Sequence, residues 1–149
     1  MAIAYGIDED SGTILEVWQG ETSSTDWVRH VKSVLEDPVM PSAPKWVVEM
    51  RRGWLQPGTR LTDVGALAIL LRASEGRIRG GRCAIIAGAE SSADRLFTAT
   101  IPGSLLTAIT FSELRIACTW LGLHPEWIQG WIQRLKAMLP APVGLGTCA

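Results

Sequence analysis

The stretch Lys45–Arg72, KWVVEMRRGWLQPGTRLTDVGALAILLR, constrains this chain more than any other. Trp46, Val47, Val48 and Met50 form a short apolar run of strand type, and Val64 to Leu71 is apolar almost all the way round a helix. A helix apolar on every face is covered on more than one side. The pair is therefore expected at the middle of a core, with a basic loop from Arg51 to Leu61 held out at its edge. ProGly inside that loop is a strong turn signal.

The remaining chain supplies partners for this unit. Ile3 to Ile7 and Thr13 to Trp18 read as a hairpin around AspGluAspSerGly. A polar connector, Gly20 to Thr25, leads to Trp27, Val28, Val31, Val34 and Leu35 at helical spacing, which ends at Asp37-Pro38. Thr62 is expected to cap the apolar helix, which runs to about Ser74. ArgCysAlaIleIleAla then has the continuous apolarity of a strand buried on both faces. A short helix from about Ser92 follows, with Leu96, Phe97 and Ile101 inward, and Leu105 to Phe111 reads as a last strand. Ser112 is expected to cap a helix bearing Leu114, Ala117, Cys118 and Leu121 and closed by Gly122. From Pro125 a final amphipathic helix carries Trp127, Ile128, Trp131, Ile132, Leu135 and Leu139. The order is β-β-α-β-α-β-α-β-α plus a terminal helix, an α/β arrangement with a mixed sheet.

Composition narrows the function classes. At 149 residues, with 47% hydrophobic and 19% charged residues, one globular domain is expected. No apolar run reaches the roughly 18 to 20 residues of a membrane span, and no secretory leader is evident at MAIAYGIDEDSG. A cytoplasmic location is the expectation. Cys83, Cys118 and Cys148 lie far apart without metal-ligand spacing, so buried reduced thiols are expected for the first two, and no metal or cofactor. Net charge is −1, yet residues 1–44 hold eight acids and two bases while residues 45–82 hold three acids and eight bases. Seven of those eight bases are arginine, the better residue for bidentate contact with an oxyanion. A nearly neutral chain argues against nucleic acid as a partner.

With these elements in place, the chain from about Ala4 to Leu123 resembles the SpoIIAA-like members of the STAS superfamily, which include proteins described as STAS/SEC14-like. The resemblance rests on the opening TyrGlyIleAsp, the TrpValVal strand, AspValGlyAlaLeuAlaIleLeuLeuArg, GlyGlyArgCysAlaIleIleAla and the closing PheSerGluLeuArgIleAlaCysThrTrpLeuGly. It implies a mixed sheet of about five strands with helices packed mainly on one side, here with an extra C-terminal amphipathic helix. Residues 1–123 would form the SpoIIAA-like domain, 124–139 a helix packed on it or at a dimer seam, and 140–149 a loose tail. It also implies a role in protein contact or ligand sensing, not catalysis. Antagonists of this superfamily carry a phosphorylatable serine just before a glycine; the matching tetrad here is Thr62-Asp63-Val64-Gly65, with Val64 in the serine's place. A phosphoserine switch of that kind is not expected.

Catalytic candidates are few. His30 is assigned to the polar side of its helix and His124 to a helix boundary, and Glu49 is a lone acid within a strand, so no enzyme is expected. A ligand or anion site is placed at the carboxyl ends of the central strands, with Arg51, Arg52, Trp54 and Arg60 in one loop and Ser91 and Ser92 in the next. Trp18, Trp27, Trp46 and Trp120 are assigned to packing. Trp127, Ile128, Trp131 and Leu135 share a face that must be covered, by the domain itself, by a second copy at a dimer seam, or as a lid over an apolar cavity. The functional expectation is a non-enzymatic binding or regulatory domain acting on a protein partner or as a homodimer. The alternative is a carrier or sensor of a small amphiphilic anion.

Overall fold

The structure, a computed structural model, describes residues 2–88 and 93–140, the side chains of Ala93, Asp94 and Phe97 excepted. Among these residues five strands make one sheet in the order β1-β2-β3-β4-β5. They are β1 (Ile3–Asp8), β2 (Thr13–Thr22), β3 (Lys45–Leu55), β4 (Gly81–Ile86) and β5 (Leu106–Phe111). The hairpin β1-β2 is antiparallel and every other neighbouring pair is parallel. Its turn is fixed by Asp8, whose carboxylate accepts from the Ser11 backbone N–H at 3.0 Å, and by Gly12 at φ +66°.

The strands' alternation divides the core. Ile14, Trp18, Trp46, Val48, Met50, Cys83 and Ile85 point to one face, where α1 (Ser24–Leu35), a 3-10 turn (Leu61–Val64), α2 (Gly65–Ala73), α3 (Glu75–Ile78) and α4 (Ala93–Thr100) lie. Leu15, Val17, Val47, Ala84 and Ile86 point the other way, onto α5 (Leu114–Leu121) and α6 (Pro125–Lys136). The helices thus lie mainly on one face, and α5 with the extra C-terminal helix closes the second. Ile128 and Ile132 are fully buried there, and the Trp131 indole lies against Gly6 of β1, where an added Cβ would come within 2.9 Å of it.

Four expectations are corrected. Arg51 to Trp54 are not a loop: β2 continues to Thr22 and its backbone pairs Gly53 with Gly20, Trp54 with Glu21 and Leu55 with Thr22. The long neighbour strand keeps the arginines in the ladder. Helix α2 buries only Leu67 and Leu71, with Ile69 72% exposed, because among the described residues a single layer of helices covers this side of the sheet. Thr62 does not cap; Asp63 accepts from the Arg60 backbone N–H at 2.8 Å. Ser112 does not cap α5 either, whose boundary residue Glu113 makes no side-chain capping bond, while Gly122 closes the helix at φ +72° as expected. The tail 141–149, including Cys148, lies outside the described residues.

Two glycines make a paired test. A Cβ on Gly53 would sit 2.4 Å from the Trp18 Cβ and 2.8 Å from its carbonyl carbon, whereas one on helical Gly65 meets nothing within 4 Å. Gly53→Ala is expected to cost about 2 kcal/mol or more in chemical denaturation, and Gly65→Ala to add about 0.4–1 kcal/mol. Equal midpoints for the two variants would contradict the close approach of β3 to Trp18.

Candidate binding cleft

The β2-β3 register changes once. Glu49 pairs with Val17 and Arg52 with Gln19, so Met50 and Arg51 together oppose Trp18 as a β-bulge. In a regular strand, adjacent side chains point to opposite faces. The extra residue instead lets Arg51 and Arg52 both line one cleft, completed by Glu49 and by Gln129 and Lys136 of α6, with a volume of about 450 Å³.

Glu49, on the central strand, is 2% exposed and would be costly there without a partner. Arg51 supplies one. Its Nε lies 3.0 Å from each carboxylate oxygen, its terminal nitrogen donates to Oε2 at 2.5 Å, and its backbone N–H donates to Oε1 at 3.0 Å. Hydrogen bonding to Glu49 holds the guanidinium pKa above its ordinary value, with burial opposing. Glu49 is therefore neither lone nor solvent-facing, and Arg51 is fixed in place. Among the described residues the side chains of Arg52 and Lys136 make no hydrogen bond or ion pair. The cleft thus presents three cations against one buried carboxylate.

A second buried carboxylate lies on the opposite face. Glu16, on β2, is 1% exposed; it accepts from the Trp46 indole N–H and, at 3.4 Å, from that of Trp18. His30 on α1 is also buried, its Nε2 2.9 Å from Glu16 Oε1 in a contact too poorly aligned to be a good hydrogen bond. This overturns the polar-side assignment of His30. Tyr5 meets its ring edge-on at 5.5 Å and donates to Asp37 at 2.8 Å. Burial, then Asp37, raises the Tyr5 pKa from 10.0 to about 12. Glu16 borders an apolar cavity of about 30 Å³, with Trp27, Trp46, Leu67, Leu71 and Cys83 among its walls. Burial and the Glu16 charge push the Cys83 thiol far up, and burial followed by Glu126 raises that of Cys118, so both buried thiols stay protonated at neutral pH.

The other candidate residues are dispersed. Arg60 pairs loosely with Asp63 at 3.8 Å and Trp54 is 40% exposed on β3; neither lines the cleft. Ser91 and Ser92 lie outside the described residues, as does the side chain of Phe97. Ile128 and Leu135, candidates for a dimer seam, are buried against the chain's own sheet because α6 folds back on it. Trp127 stays 37% exposed and stacks on Trp131 at 5.4 Å. Trp18, Trp27 and Trp46 are buried as expected, whereas Trp120 is half-buried beneath Arg82, whose guanidinium lies 5.5 Å from its ring. Val64, which stands where the resemblance would have a serine, is fully buried.

Glu16, His30 and Lys136 escaped sequence reasoning in different ways. Glu16 shares strand parity with Ile14 and Trp18, and His30 falls three residues after Trp27 and four before Val34, so both inward positions were signalled by period. Lys136 had no such signal.

The chain matches no protein-family model and no curated protein. Among solved structures it is similar to an uncharacterised protein of the DUF3478 family with a SpoIIAA-like fold from Shewanella loihica PV-4, at 19% identity and a TM-score of 0.53, over 80% of this chain and 94% of that one. The fold is SpoIIAA-like. No helix among the described residues is long and apolar enough to cross a membrane.

Three outcomes follow from this geometry. His30→Ala empties a buried ring site while leaving Glu16 on the two indole N–H groups, and is expected to cost about 2–3 kcal/mol in denaturant unfolding; a loss below about 1 kcal/mol would contradict the burial of the His30 ring. Trp131→Ala is expected to lower stability by about 2 kcal/mol and Trp54→Ala by under about 1 kcal/mol, and equal effects would contradict the packing of α6 on β1. Tyr5 is the only tyrosine, so tyrosinate absorbance reports it alone. A folded pKa raised above the unfolded value means that its stabilisation is complete below pH 10 and is lost as pH rises towards about 12. Asp37→Asn should bring the absorbance midpoint back towards 10, and an unmoved midpoint would detach Tyr5 from Asp37.

Proposed function

We propose that this domain acts by reversible, non-catalytic contact with a protein partner, whose acidic segment enters the cleft of Arg51, Arg52 and Lys136. The observation that carries this reading is the charge excess of that cleft: Arg51 is held by Glu49, while the side chains of Arg52 and Lys136 have no partner among the described residues. Arginine forks suit carboxylates and phosphates, and an uncompensated positive cleft speeds encounter with an acidic surface. The buried titratable groups support a binding role as well. Glu16, His30 and Glu49 are all engaged within the protein, and Val64 offers no hydroxyl to phosphorylate.

A carrier of an amphiphilic anion is the weaker reading. The apolar cavity beneath α2 and α4 is about 30 Å³, room for a water and far short of the roughly 300–1,000 Å³ of ligand pockets. It is also on the sheet face opposite the arginine cleft, so one ligand cannot place its head on Arg51 and Arg52 and its tail in that cavity. Its polar boundary is the Glu16 carboxylate, which repels an anion.

A fluorescently labelled glutamate-rich peptide tests the reading. Its affinity should fall with salt and weaken about tenfold in Arg52→Ala/Lys136→Ala, two rim charges of modest individual worth. Binding that is absent in the unaltered protein, or unchanged in the double variant, would sink the cleft as the contact surface.

A further inference from the structure

Resting on the reading of the cleft as the contact surface, we infer that its preferred ligand is a phosphomonoester dianion carried on a protein segment, not a simple carboxylate. Three cations converge on the cleft from two elements, Arg51 and Arg52 from β3 and Lys136 from the last turn of α6. The one carboxylate among them, Glu49, is 2% exposed and already bound by Arg51 through both guanidinium contacts and the backbone N–H. That leaves an excess of two positive charges. A carboxylate, singly charged and planar, neutralises one of them, whereas a phosphomonoester carries about −1.5 to −2 at neutral pH and presents three acceptor oxygens in a tetrahedral array.

Geometry favours the same ligand. The bulge puts consecutive arginines on one wall, and α6 brings an ammonium to the other. An anion bridging the walls needs acceptors directed to both, and a tetrahedral group offers three oxygens out of one plane where a carboxylate offers two within it. Glu49 acts here as a positioning residue. Its bonds consume Nε and one terminal nitrogen of Arg51 and hold the guanidinium still, so that the remaining N–H groups meet a ligand without an ordering cost. Arg52, unrestrained and exposed, closes over the anion from the same wall. The volume of about 450 Å³ exceeds a phosphate and accommodates the residue that carries it.

The test uses the full chain and a pair of labelled peptides identical except for one position, phosphoserine in one and glutamate in the other, with inorganic phosphate and phosphatidic acid vesicles as further probes. The phosphopeptide is expected to bind at least about tenfold more tightly than its glutamate counterpart, and millimolar inorganic phosphate to compete. Arg52→Ala/Lys136→Ala should abolish that preference, while Arg115→Ala, which removes an equivalent surface charge on α5, should leave it intact. Equal affinity for the two peptides overturns the phosphate preference yet leaves the acidic-segment reading standing; binding of neither overturns both. Binding to the vesicles without binding to the phosphopeptide overturns the assignment of the phosphate to a protein segment. A preference unchanged in the double variant, with the melting temperature also unchanged, overturns the cleft as its seat.

Discussion

A single inserted residue in the middle strand governs the surface of this domain. Because Met50 and Arg51 share the space opposite Trp18, the side-chain alternation of β3 is broken just where the strand leaves the core. Upstream of the bulge, Trp46 and Val48 face one helical layer and Val47 and Glu49 the other. Beyond it, the backbone must pass tightly over Trp18, which only a glycine at position 53 allows. The same irregularity that forces a small residue onto the strand turns two guanidinium groups to one side. Its cost falls on the backbone and its product is a concentration of charge at the sheet's end.

The two buried carboxylates show how a sheet covered on both faces tolerates ionisable groups. Glu49 is neutralised by a residue two positions along its own strand, so its solution is local and lies at the edge of the core. Glu16 has no such neighbour. Besides Trp18 on its own strand, its partners come from β3 and from α1, and these two reach it only when those elements are correctly docked. A carboxylate satisfied in this way penalises misregistered packings more than it stabilises the native one. The apolar residues around it set how much surface is buried; the carboxylate selects which arrangement buries it.

Most of the element order and type was legible, from the period of apolar residues in β2, α1, α5 and α6 and from the continuous apolar runs of β4 and α2, while the four-residue helix α3 carried no such signal. Boundaries were less so. ArgArgGlyTrp has the composition of a loop, and only the length of its neighbour β2, a tertiary fact, keeps it extended. The uniform apolarity of α2 overstated its burial because propensity and surface apolarity leave the same imprint on a short helix, as Ile69 demonstrates. The cleft was half legible. Arg51 and Arg52 stood out by charge, but Lys136 is 84 residues from Arg52 and joins it only through the docking of α6, and Trp54 and Arg60, close to the arginines in sequence, are directed elsewhere.

The packing of Trp131 on Gly6 joins the last helix to the first strand. A ribosome delivers β1 well before α6. The face formed by Leu15, Val17, Val47, Ala84 and Ile86 is complete as a surface once β4 has emerged, but its cover over β1 and β2 follows only with α6, after β5 and α5. During that interval the nascent sheet presents a greasy, unshielded layer, a state open to chaperones and to wrong partners alike. Contacts of such long sequence separation also slow closure, so the step that finishes this domain is the arrival of α6.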